Sequence, residues 1–402
     1  MTLPNTPPHK WQFVATALAE RDRTHRRRTL SVLMPVDAIH VRKGTGDRLL
    51  INFSANDYLG LSKHPQVIAQ AIDYTQRYGT GATASRLVAG SFDIHRNLEH
   101  QLAQALGTEA ALLFGTGFQA NATVLPVLLD KDALVLCDRL VHNSLLQGIR
   151  ASGARFVRYA HNDLNALEFQ LQKHQNKTYS RVMIVSETVF SMDGDRSDVP
   201  ALVELSDRYG AILYLDDAHA FGVLGPEGMG LAANMPGVDI IVGTFGKACG
   251  ASGAFVACSE AVRDHLINFC AGVIYTTALS PGVVGAVEAA IVLFPSLEAE
   301  RQHLLGESEW LRLQLNQLNY STAGSASQIV PAIVGPEDKT LALAAWLETQ
   351  GCLATAIRPP TVATGTSRIR LALSCQHGRS HLTQLVTAIE VWDYPSGSTG
   401  LN

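Results

Sequence analysis

The sequence predicts an α/β protein with a mostly parallel, seven-stranded sheet in a large domain and a smaller α/β domain at the C-terminus. Three observations predict it. The middle of the chain alternates short apolar runs rich in β-branched residues with helical patterns, as a parallel sheet covered on both faces requires. Hydrophobic residues make up 47% and charged residues 17% of the chain, against about 25% charged in an ordinary soluble domain, so a large interior and subunit contacts are expected. The 402 residues allow two or three units at roughly 150 residues each.

In chain order, residues 1–50 read as an N-terminal segment, 51–290 as the large domain, 291–393 as the small domain and 394–402 as a flexible tail rich in Gly, Ser and Thr. The basic run His25-Arg-Arg-Arg28 has Glu20 and Asp22 beside it, so it is expected on a solvated helix face rather than in a transit peptide. Strands are expected at Ala110–Phe114, Ala133–Cys137, Arg155–Tyr159, Val182–Ser186, Ile212–Leu215, Asp239–Gly243 and Ala254–Cys258. Between the fourth and fifth, a helix from Pro200 to Tyr209 stops at Gly210, which suits the left-handed residue after a helix. Gly243 and Ala254 are separated by a Gly-rich stretch too short for a crossover helix, so those two strands should run antiparallel. Beyond Pro281 come long helices, then strands at Ile329–Val334 and Ile369–Leu373, with Gly335 and residues 358–367 in loops.

Charge and cysteines exclude several classes. Lys plus Arg is 32 and Asp plus Glu 36, which leaves no basic excess for a phosphate backbone, so no nucleic acid is expected as a partner. The N-terminus has no apolar signal core, and uncharged stretches such as 112–129 are broken by Gly, Asn, Gln and Pro; no membrane partner and a cytoplasmic location are expected. Cys137, Cys249, Cys258, Cys270, Cys352 and Cys375 form no C-x-x-C pair and read as reduced core thiols.

Ligands of open α/β sheets gather at the carboxyl ends of the strands. Three successive ends carry Glu187 and Ser191, then Asp216, Asp217 and His219, then Thr244 and Lys247. Of eight lysines, Lys247 alone follows a buried strand. An enclosed lysine has its amine pKa lowered and can act as a nucleophile, the use pyridoxal phosphate enzymes make of it. Asp216 is placed to hold the pyridine nitrogen protonated. Singly, the aspartate reads as a helix cap and the lysine as a turn; with His219 they point to pyridoxal 5'-phosphate. Asp-Asp-Ala-His has no further His or Cys at ligand spacing, so no metal is expected.

Phe114-Gly-Thr-Gly-Phe-Gln-Ala-Asn121 supplies a strand, a small-residue turn and a helix start whose free N–H groups attract a phosphate. The same Gly115-x-Gly117-x-x-Ala120, with Asp138 after the next strand, fits a dinucleotide fingerprint, so an NAD-dependent dehydrogenase is the alternative from a different class. That reading leaves Lys247 and Asp216 without a task. A binding protein without catalysis is a third possibility. His142 reads either as a core or capping histidine or as a ring stacked on a cofactor. Arg358, Arg368 and Arg370 alternate with apolar residues, as on a strand with a solvated basic face, but a guanidinium is also the usual partner of a substrate carboxylate.

Asn52-Phe-Ser-Ala-Asn-Asp-Tyr-Leu-Gly-Leu61, Ser85-Arg-Leu-Val-Ala-Gly90, the 187–195 segment, Asp216-Asp-Ala-His219, Thr244-Phe-Gly-Lys247 and the 356–370 segment together resemble the α-oxoamine synthases, over residues 10 to 390. The resemblance implies a fold-type I pyridoxal phosphate-dependent transferase, a homodimer with its active sites at the subunit interface. It makes Lys247 the Schiff-base lysine, Asp216 the pyridinium partner, His219 a donor to the ring oxygen and His142 the stacking ring. It assigns Gly117, Phe118, Glu187, Ser191 and Thr244 to the cofactor, and Thr277 to the phosphate of the other subunit. Arg26, Asn56, His142, Arg358, Thr361 and Arg370 would contact substrate. Ala356-Ile-Arg-Pro-Pro-Thr-Val362 is most like members that condense L-alanine with a pimeloyl thioester, carried on coenzyme A or acyl carrier protein; a glycine C-acetyltransferase is the alternative within the family. The chain departs from the pattern at Ala82, Ala84 and Ala363.

Overall fold

The structure is a computed structural model that describes residues 9–44 and 48–393; the tail expected to be flexible lies outside the described residues. The first strands are β1 (Leu33–Pro35), β2 (His40–Lys43) and β3 (Leu49–Asn52). They are followed by β4 (Ala110–Phe114), β5 (Leu134–Asp138), β6 (Arg155–Tyr159), β7 (Val182–Glu187), β8 (Ile212–Asp216), β9 (Ile240–Thr244) and β10 (Ala254–Cys258). The seven strands β4 to β10 form one sheet in the order β4-β10-β9-β8-β7-β5-β6. They are the seven expected from the apolar runs, each within a residue of its expected ends.

Alternation along these strands divides the interior into two apolar layers. Met183, Val185 and Tyr214 face one layer with Val124, Leu145 and Ile149 of the covering helices Gly117–Leu128 and Asn143–Ser152. Ile184, Leu213 and Leu215 face the other, which continues into the C-terminal part through Leu304, Leu311 and Val330. Burial on both faces is why the strands read as continuous apolar runs. The helix Val199–Tyr209 ends at Gly210, whose φ of 60° is left-handed as expected.

β10 runs antiparallel to β9, as the short connection requires, and also to β4. Gly243 in β9 sits opposite Phe255, and a Cβ there would lie 2.2 Å from the phenyl ring, so the pairing needs glycine. β7, β8 and β9 are parallel neighbours, with Glu187 directly opposite Asp216. This register brings the three polar strand ends to one place.

The remaining strands are β11 (Ile329–Gly335), β12 (Cys352–Leu353), β13 (Thr355–Ile357) and β14 (Ser367–Ala372). β11, β14 and β13 form an antiparallel sheet, while β12 joins β3 in parallel, so N-terminal and C-terminal strands share the sheet β1-β2-β3-β12. β1, β2, β3, β12 and β13 have no counterpart among the strands expected from sequence; they are two to four residues long, and β1 is exposed throughout. The basic run is not on a helix face: the helix Gln12–Arg23 ends before it, and His25 to Arg28 follow as a turn and an irregular segment whose Arg26 and Arg27 N–H groups donate back to the Arg21 carbonyl. Arg358 donates to the carbonyls of His25 and Arg27, fixing that segment to the loop after β13.

All six cysteines are free and buried. Among the described residues no single helix is long and apolar enough to cross a membrane.

Candidate active site

A cavity of about 360 Å³ opens at the carboxyl ends of β7, β8 and β9. Its lining includes Lys247, Asp216, His219, His142, Glu187, Ser191, Thr244, Gly117, Phe118, Asn56 and Arg370, so eleven of the residues picked from sequence meet there. Four do not line it. Arg26 pairs with Glu337, Arg358 holds the N-terminal segment, Thr361 accepts from Arg28, and Thr277 bridges to the backbone of Ser85. The distant pairs follow from the course of the N-terminal segment, which sequence spacing does not report.

Asp216 ends β8 and is 7% exposed. Its Oδ2 accepts from Asn121 Nδ2 at 2.7 Å and its Oδ1 from the Ala218 N–H at 3.0 Å. Glu187, beside it, accepts from the backbone N–H of His142. Burial and then the Asp216 charge push the Glu187 carboxyl well above the usual carboxylate range. Lys247 sits in the turn between β9 and β10, with its amine enclosed; burial pulls its pKa down to about 8, while Asp216 and Glu187 oppose the shift. Neighbouring Asp217 is wholly buried and bonded to Thr188 and to the N–H groups of Leu231 and Ala232, which makes it part of the scaffold.

His219 shares a 2.6 Å hydrogen bond with the Tyr58 hydroxyl, and burial holds its imidazole well below the usual range, hence neutral. His142 caps the helix Asn143–Ser152 and opens its ring to the cavity; burial behind it lowers its pKa too, with Asp216 opposing and Lys247 assisting. Thr244 Oγ1 accepts from the Gly246 N–H, close to Gly117 at the start of its helix.

Arg370 and Arg368 share a face of β14 and are 7% and 6% exposed, not solvated as a basic face would be. Arg368 is paired with Asp193. Arg370 donates to the Ser191 carbonyl at 2.6 Å and to Asn56 Oδ1 at 3.2 Å, and among the described residues no carboxylate pairs with it. A buried guanidinium without an acid beside a cavity is a site for an anion. Asp138, the acid of the dinucleotide reading, is fully buried and occupied by His161 and the N–H groups of Leu140 and Asn162, so it has no role in the cavity.

Asn121, Ser144 and Tyr58 were not singled out from sequence, although the first and last lie inside motifs that were. No periodicity marks them; Asn121 and Tyr58 reach partners far along the chain, and Ser144 joins one helix start to the next.

A strand-end lysine, an aspartate and an uncovered imidazole in one cavity, on a mostly parallel sheet, define an enzyme class, and the class is found by comparison. The family model for aminotransferase class I and II matches residues 48–389, and the chain belongs to that family. Within it the chain is 51% identical to 8-amino-7-oxononanoate synthase of Gluconacetobacter diazotrophicus, over 94% of this chain and 96% of that one. It is 43% identical to the synthase of the same name from Geobacter sulfurreducens, over 85% and 88%. Among solved structures, serine palmitoyltransferase of Sphingomonas wittichii matches with a TM-score of 0.87 at 27% identity, over 95% and 96% of the two chains. The 8-amino-7-oxononanoate synthase of Francisella tularensis matches with 0.72 at 25%, over 85% and 97%. The chain is thus a pyridoxal phosphate-dependent enzyme of the 8-amino-7-oxononanoate synthase family.

The donor set fits that cofactor. The enclosed Lys247 amine suits its aldehyde, Asp216 its ring nitrogen, His142 its ring face, and Thr244 with the helix start at Gly117 its phosphate.

Proposed function

We propose that this chain condenses L-alanine with a pimeloyl thioester and releases 8-amino-7-oxononanoate, carbon dioxide and the free thiol, a step of biotin biosynthesis. Pyridoxal 5'-phosphate, when bound, supplies an aldehyde for the amino acid nitrogen and a ring that takes up the electron pair left at Cα. The single observation that carries the reading is Arg370, a buried cation that pairs with no carboxylate among the described residues, in the same cavity as the enclosed Lys247.

Arg370 holds the carboxylate of L-alanine, with Asn56 orienting the guanidinium. Lys247, with a pKa of about 8, is neutral often enough near neutral pH to take the Cα proton. Asp216 would hold the ring nitrogen of the cofactor, and neutral His219 would serve as a hydrogen-bond donor to its ring oxygen. The new C–C bond joins Cα to the thioester carbonyl as the C–S bond breaks and the thiolate leaves. The Cα–carboxylate bond then breaks to release carbon dioxide, and Lys247 returns the proton to Cα, so no oxidant or reductant is needed.

The functional unit is a homodimer in the cytoplasm. Its support is the exposed apolar surface near the Ser85–Thr277 bridge, where Leu87, Val88 and Tyr275 are 52%, 81% and 83% exposed. A second copy there would account for Thr277 lying outside its own cavity.

A product assay with alanine, glycine and serine against acetyl and pimeloyl thioesters tests the reading. Alanine with the pimeloyl thioester should be preferred. Preference for glycine with the acetyl thioester would replace it by the glycine C-acetyltransferase reading.

A further inference from the structure

We propose that Asn121 is a positioning residue that sets, from one amide group, both the carboxylate of Asp216 and the tautomer of His142. This rests on the pyridoxal phosphate reading above. Asn121 lies in the first turns of the helix Gly117–Leu128 and is 1% exposed. Its Nδ2 donates to Asp216 Oδ2 at 2.7 Å and to Ser144 Oγ at 3.0 Å, and its Oδ1 accepts from the Tyr214 hydroxyl at 2.8 Å. Turning the amide over would set its carbonyl oxygen against the carboxylate, so the orientation is forced. The Tyr214 phenol is fully buried, and burial keeps it protonated, which secures the donor at the head of the line.

From there the hydrogen bonds run one way. Ser144 Oγ accepts from Asn121 through one lone pair and stands 2.7 Å from His142 Nδ1, within reach of its own proton. The Ser144 backbone N–H reaches the same nitrogen at 3.3 Å. Nδ1 is therefore an acceptor, and the proton of the neutral imidazole stands on Nε2. Ser144 is 1% exposed and Tyr214 0%, so both are held in the packed wall of the cavity. The two histidine and aspartate groups that would grip the cofactor from different elements are thus held by the same amide, one directly and one through a serine.

Two readouts on the purified protein separate this from a merely structural asparagine: the dissociation constant of pyridoxal phosphate, and the ring nitrogen signals of His142 in protein labelled with nitrogen-15 histidine, assigned with His142→Asn. Asn121→Leu should weaken cofactor binding roughly ten- to hundredfold, as loss of a hydrogen bond to a charged group does, and should shift the Nδ1 signal. Ser144→Ala should shift the Nδ1 signal while changing affinity less than Asn121→Leu does, and Ser144→Thr, which keeps the hydroxyl, should restore the signal. In the Asn121→Leu, Ser144→Ala double variant the Nδ1 signal should match that of Ser144→Ala alone, because one effect runs through the other. Tyr214→Phe should give both effects in weaker form, and serves if Asn121→Leu does not fold. Unchanged affinity in Asn121→Leu, or additive shifts in the double variant, would overturn the proposal. Wild-type protein that fails to bind pyridoxal phosphate would instead overturn the functional reading on which it rests.

Discussion

Burial lowers the Lys247 amine from 10.5 to about 8, so between those values the unfolded chain holds a proton that the folded chain has released. Stability from this group therefore rises with pH across that window, and its cost is fully present below pH 8. Lys247→Met should be more stable than the cofactor-free wild type at pH 7, with the difference shrinking towards pH 10; urea unfolding at the two values checks it, and a constant difference would count against an enclosed amine. Arg370→Ala should raise the KM for L-alanine roughly ten- to hundredfold, whereas Arg26→Ala, outside the cavity and paired with Glu337, should leave it unchanged; steady-state kinetics with both variants decides. Residues at strand ends, Lys247, Asp216 and His219, were legible in the sequence because a buried parallel strand delivers the residues just past its carboxyl end to the ligand side of the sheet. Asn121 and Tyr58 were not, since their partners lie 95 and 161 positions away.

Two helices decide whether that network exists. Asn143–Ser152 packs against Gly117–Leu128 so closely that a Cβ on Gly148 would lie 2.3 Å from the Asn121 carbonyl oxygen and 3.0 Å from Leu125. The glycine is required by proximity to backbone, which has no flexible end to yield. Gly148→Ala should force the helices apart and cost about 1–3 kcal/mol, the usual range for overpacking, with a loss of cofactor affinity that follows from the stretched Asn121–Ser144 contact. Thermal unfolding with a cofactor titration measures both; an alanine variant of wild-type stability would mean that the helices separate without cost. At the same scale, the seven central strands were readable because each is apolar over its whole length. β1, β12 and β13 were not, because a strand of two or three residues carries no period, and its hydrogen bonds come from a neighbour distant in sequence.

The assembled molecule leaves Val88 and Tyr275 in solvent beside Thr277. Val88→Asp with Tyr275→Asp should convert a dimer to monomers and abolish turnover while the fold persists, as sedimentation and circular dichroism would record; an active dimer of the double variant would place the interface elsewhere. The sequence by itself determined the class of fold, the central strands, the lysine and its aspartate, and the motifs that lead to the family, because those depend on local pattern and on residue chemistry near one strand end. Only the tertiary structure decided that Arg370 faces the cavity with no carboxylate partner among the described residues while Arg368 is neutralised by Asp193, that Arg26, Arg358 and Thr361 stand apart from the cavity, and that Asn121 joins Asp216 to His142. Each of these depends on which side chains from remote segments come within hydrogen-bond distance, and that is set by packing across layers rather than by order along the chain.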